Sequence, residues 1–84
     1  MTQEIINQGQ AAETLLANEA FGAIVKGLMD NNVGLFFSTD PEDTKTRDVA
    51  YYSARAIQDI INTLNQQVAM KEQALAAAED NKED

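Results

Sequence analysis

The chain contains no cysteine, no histidine and no tryptophan among its 84 residues. Without cysteine there is no disulfide framework, and without histidine the zinc-finger ligand sets, imidazole metal ligands and the commonest general base are all excluded. Basic residues are scarce, six against fourteen acidic ones, for a net charge of −8. Binding to nucleic acid in general, or to an anionic membrane, needs a basic surface to neutralise phosphate, so both are expected to be absent. An acidic surface that imitates DNA stays open. No apolar run approaches the roughly 18 residues of a membrane span, and no charged-then-apolar leader opens the chain. A soluble, cytoplasmic protein is the expectation.

What is present is a globular composition, 44% hydrophobic and 24% charged. At 9.2 kDa the chain has room for one core, and with 13 alanines among the apolar residues that core must draw on few large side chains. Helical spacing dominates. From Thr2 to Ala17, Ile5, Ile6, Leu15 and Leu16 describe a short, weak helix with Gly9 in its middle, where glycine costs about 1 kcal/mol relative to alanine. Asn18 and Glu19 read as an N-cap and an acidic first turn. They start a second helix whose expected core face is Phe21, Ile24, Val25, Leu28, Met29, Val33 and Phe36, continuing to Phe37.

The only proline, Pro41, is expected at the first position of a third helix, with Asp40 as N-cap and Asp43 completing a capping box. An apolar stripe of Val49, Tyr52, Ala56, Ile60, Leu64, Val68 and Leu75 carries this helix to about Ala78, roughly 38 residues and 57 Å. The first two helices together match the third in length. The predicted fold is therefore all-α: a helical hairpin whose first arm is broken, the second helix antiparallel to the N-terminal half of the third and the first helix on the distal half. Residues 1–78 are read as a single helical domain and 79–84 as an acidic flexible tail. Ile57, Ile61 and Val49 widen the stripe beyond what one neighbour covers, so a homo-oligomer is expected.

The candidate site lies at the start of the third helix. Asp43, Arg47, Tyr51, Arg55 and Asp59 recur every fourth residue and form one column. One reading is an exposed salt-bridge ladder worth a few tenths of a kcal/mol per pair. The other is a recognition strip in which Arg47 and Arg55 hold phosphate or carboxylate and Tyr51 stacks on a base. Thr39, Thr44 and Thr46 offer hydroxyls near the same helix start, although Asp40, Glu42 and Asp43 crowd that turn. Phe36 and Phe37 cannot both face a core, so one is exposed or interfacial; of Tyr51 and Tyr52, Tyr52 is expected in the core. No P-loop, dinucleotide fingerprint or calcium-loop spacing occurs, and the carboxylates sit on an exposed helix start with nothing obvious to raise a pKa. The chain is expected not to be an enzyme, with no cofactor and no metal.

The run Leu15-Leu16-Ala17-Asn18-Glu19-Ala20-Phe21, then Thr39, Asp43, Arg47-Asp48, Tyr51 or Tyr52, and Ala56-Ile57 with Ile60 and Leu64, resembles a group of small helical proteins encoded by tailed phages and prophages. The resemblance covers about Ala11 to Val68 and implies a viral origin and a helical hairpin more than an activity. Its strongly acidic end departs from a basic end in that group, against a role in nucleic-acid packaging. The architecture is also similar to the short helical-hairpin sponges with which phages trap nucleotide signals of bacterial immunity, though no sponge motif is matched residue by residue. The leading expectation is a phage-encoded, non-enzymatic protein of the host cytoplasm that sequesters a small anionic or nucleotide ligand in a helical oligomer. Its ligand residues would be Arg47, Arg55, Tyr51, Thr39, Thr44 and Phe37. The alternatives are a virion structural or assembly protein binding a capsid or portal partner, and an acidic DNA mimic that inhibits a defence enzyme.

Overall fold

The computed structural model describes residues 2–82, with side chains for residues 2–80. The described residues are all-α: α1 spans Thr2–Ala17, α2 Glu19–Ser38 and α3 Thr44–Lys82. Asn18 separates α1 from α2, and its N–H donates to the Leu15 carbonyl at 3.1 Å. No helix among the described residues is long and apolar enough to cross a membrane.

The turn between α2 and α3 corrects the expected cap. Pro41 and Glu42 form a turn outside the helix, which starts three residues later than expected, at Thr44. The Glu42 N–H donates to Asp40 Oδ1 at 2.9 Å and the Asp43 N–H to the Asp40 carbonyl at 2.9 Å, so Asp40 closes a turn instead of capping the helix. Asp43 is the N-cap: its Oδ1 accepts from the Thr46 N–H at 3.1 Å, three residues on, and its Oδ2 from the Thr46 hydroxyl at 2.8 Å. The same helix runs past Ala78 and includes residues 79–82, which are expected from the sequence to belong to a frayed tail. The rest of that tail, Glu83 and Asp84, lies outside the described residues.

Two compact units divide the chain, one of residues 1–18 with 62–84 and one of residues 19–61. In the first, α1 packs on the C-terminal half of α3 through its smallest residues: Gly9 and Ala12 are buried, one turn apart. A Cβ at position 9 would fall on the Lys71 side chain and 2.9 Å from the Gln67 carbonyl oxygen. Glycine here permits backbone contact, which offsets its helix cost. Lys71 is only 7% exposed, and its ammonium meets the Glu13 carboxylate across the helix pair and lies 3.4 Å from Glu72.

In the second unit, α2 and the N-terminal half of α3 form the hairpin. Phe21, Val25, Met29, Asn32 and Phe36 are the half-buried side of α2; Ala50, Ser53, Ala54, Ile57 and Ile61 line the inner side of α3. This corrects part of each expected core face: Phe21, Val25, Met29 and Phe36 of α2 and Leu64 and Val68 of α3 are half-buried as expected, whereas Ala56 is exposed. Ile24, Leu28 and Val33 of α2 are exposed, as are Val49, Tyr52 and Ile60 of α3. Leu75, in the first unit, is exposed as well. The apolar stripe exists as read, but the contact runs along its edge, because alanines at 50 and 54 let the helices approach more closely than Val49 and Tyr52 would.

Candidate functional site

The hairpin carries an apolar groove of about 300 Å³ near its turn, at the lower end of the size range of small-molecule sites. α2 supplies Val33, Phe36 and Phe37, and α3 supplies Ala50, Tyr51 and Ala54. The groove forms because large side chains on α2 face alanines one turn apart on α3, leaving a gap that neither helix fills. Asn32 also lines the groove, but its amide donates to the Leu28 carbonyl at 2.9 Å. The lining is thus apolar in practice.

Aromatic rings frame the opening. Phe36 and Phe37 meet edge to face, 5.5 Å between centroids at 86°, with Phe36 half-buried and Phe37 80% exposed. The expectation that one of the pair is exposed holds, and it is Phe37. Tyr51 and Tyr52 make a similar pair, 5.4 Å apart at 74°. Tyr51 lines the groove, whereas Tyr52, expected in the core, is 67% exposed on another side of the helix.

The column of five residues from Asp43 to Asp59 divides along its length. At the top, Asp43 caps α3, and the hydrogen bonds from the Thr46 hydroxyl and then the Thr46 N–H hold its carboxyl below the usual carboxylate range. Arg47 is half-buried, its guanidinium stacked 4.8 Å from the centroid of Phe36, one of the groove's own walls. Farther along, Arg55 lies 3.7 Å from Asp59 in an exposed i,i+4 pair. Arg55 thus belongs to an exposed ladder pair, whereas Tyr51 lines the groove and Arg47 stacks on its Phe36 wall.

The threonines divide in the same way. The Thr39 hydroxyl donates to the Leu35 carbonyl at the end of α2, which engages it with the backbone. Thr44 is exposed at the first turn of α3, outside the groove lining. Of the six predicted ligand residues, Phe37 and Tyr51 share the groove and Arg47 borders it through Phe36; Arg55, Thr39 and Thr44 are not among the residues that line it. Sequence reasoning missed Val33, Ala50 and Ala54. The available signal was the pairing of Val33 and Phe37, four residues apart, with Ala50 and Ala54 at the same spacing across a short turn.

The fold and the groove together define a small all-α protein built on a helical hairpin with an aromatic-framed apolar site. Comparison with protein-family models, curated proteins and solved structures finds no match.

Proposed function

We propose that this chain is a non-enzymatic binding protein that takes a small molecule with a flat apolar body and an anionic group, of which a nucleotide is one kind, in the α2–α3 groove. Phe37 and Tyr51 flank the flat body, and Arg47, held over the Phe36 ring, meets the anion. The observation that carries this reading is the Arg47–Phe36 stack at the edge of an otherwise apolar groove. A guanidinium stacked on a ring keeps its N–H edge available to a ligand, and an apolar surround strengthens that interaction. The nearby polar groups of Asn32 and Thr39 are engaged with backbone carbonyls, which suits holding a ligand more than transforming one. The phage or prophage setting, and sequestration of an immune signal as the purpose, rest on the sequence resemblance.

Calorimetric titration against cyclic and linear nucleotides and simple aromatic carboxylates tests it. Binding weakened at least tenfold by Arg47→Ala and by Phe37→Ala is the expected result. Silence across the panel removes the reading.

The apolar side chains left exposed elsewhere on the hairpin favour a second reading, an assembly protein that docks on another chain, such as a capsid or portal subunit. Recovery of the protein from purified particles by mass spectrometry would favour that one.

A further inference from the structure

Arg47 is the half-buried cation of the hairpin, and it makes no ion pair among the described residues. That sets it apart in a chain of fourteen acidic and six basic residues. Lys26 pairs with Asp30 at 2.8 Å, Arg55 lies 3.7 Å from Asp59, and Lys71 meets Glu13. The carboxylate one turn before Arg47 on the same column is Asp43, and both of its oxygens accept from Thr46. What the guanidinium does touch is the Phe36 ring, 4.8 Å from its centroid. Its N–H edge is left at the rim of the groove for an anion that the chain does not supply.

We infer that the ligand class of the groove is a carboxylate with a single negative charge on a flat hydrocarbon body of one or two fused rings, and that nucleotides are selected against. The inference rests on the reading of the groove as a small-molecule site and narrows what that site takes.

Charge is the first argument. One guanidinium presents one planar fork, which matches one carboxylate in two parallel hydrogen bonds. A second negative charge on the ligand would meet Asp43, about 6 Å along the helix from Arg47 at 1.5 Å per residue. The Thr46 hydroxyl and N–H hold Asp43 in its ionised form, so it repels that charge. Lys26, two turns before Val33 on the same side of α2, offers no compensation because Asp30 neutralises it. The second argument is the lining. The groove surface is entirely apolar, and the Asn32 amide is engaged with Leu28. A base buried there would leave its ring nitrogens and exocyclic groups unpaired, a penalty that a hydrocarbon ring between Phe37 and Tyr51 does not carry. The Thr39 hydroxyl, which could otherwise meet a ribose, donates to the Leu35 carbonyl. A volume of about 300 Å³ suits a ring body without a sugar.

Calorimetric titration of the full chain at about pH 8 with 2-naphthoate, 2-naphthamide and 2-naphthyl phosphate tests the proposal. The ring stays constant while the ligand is a monoanion, neutral or a dianion, the second phosphate pKa being about 6. AMP and 3′,5′-cyclic AMP complete the set. 2-Naphthoate is expected to bind about tenfold more tightly than each of the other four, the weight of one charge-assisted pair. That comparison depends on no variant's folding. Arg47→Gln should erase the preference for 2-naphthoate over 2-naphthamide. Asp43→Asn, which keeps a good N-cap, should raise the affinity for 2-naphthyl phosphate more than that for 2-naphthoate. Binding of the phosphate or of either nucleotide as tight as that of 2-naphthoate overturns the inference and leaves the groove a small-molecule site. A preference over 2-naphthamide that survives in Arg47→Gln overturns it as well. Silence from all five compounds removes the groove reading and this inference with it.

Discussion

Gly9 of α1 lies against the side chain of Lys71 in α3, with no room between them for a Cβ. Gly9→Ala should therefore destabilise the protein, by about 1–3 kcal/mol, although alanine is the better helix former. The atoms in the way are the Lys71 Cβ and Cγ and the Gln67 carbonyl oxygen, none of which is the far end of a flexible chain. Gly27 has open space around it and no positive φ, so Gly27→Ala should stabilise by about 0.5–1 kcal/mol. Urea unfolding of both variants at one protein concentration checks the opposite signs.

The ion pair behind that contact has its own signature. Glu13→Gln leaves the buried Lys71 ammonium with Glu72 alone, 3.4 Å away and largely exposed. A loss of about 1–3 kcal/mol is expected. Adding Lys71→Met should recover most of it, because an apolar stem then fills the space of an under-paired charge. A double-mutant cycle by urea unfolding measures the difference.

Asp43 makes α3 sensitive to acid. Its folded pKa is lowered by the Thr46 hydroxyl and N–H, so its contribution is complete above the unfolded carboxylate value of about 3.9 and is lost as the pH falls through the lowered folded pKa. Wild type should be more stable than Asp43→Ala at pH 6, and the difference should shrink below about pH 4. Thermal melts followed by circular dichroism at the two pH values report it.

The helix contact in the hairpin rests on alanine. Ala50 is 1% exposed between α2 and α3, so Ala50→Leu should cost about 1–3 kcal/mol through overpacking. Phe37→Ser, at a residue mostly in solvent, should stay within about 0.5 kcal/mol. Thermal unfolding at fixed concentration distinguishes them.

The helices were legible from spacing. α1 and the start of α2 fall where Asn18 interrupts the pattern, and α2 continues through Asn31, Asn32 and Gly34 to Ser38. The N-terminus of α3 was not, because Asp40 and Asp43 are both plausible caps around one proline and only the hydrogen bonds from Thr46 decide between them. The candidate site was legible in part. Tyr51 and Phe37 could be read as exposed aromatics near the turn, but the stacking of Arg47 on Phe36 and the engagement of Thr39 with Leu35 depend on how two helices meet.

The sequence by itself determined which segments are helical, because period, caps and the rarity of breakers act locally along the chain. It did not determine which residues are surplus: Ile57 and Ile61, read as widening the stripe beyond one neighbour, line the inner side of α3, and of that set Val49 alone is exposed. Only the tertiary structure decided which edge of each stripe makes the contact. Small residues at Gly9, Ala12, Ala50 and Ala54 draw the helices together there. Large side chains such as Val49, Tyr52 and Ile60 are left outside, a choice set by the distance of closest approach and not by hydrophobicity.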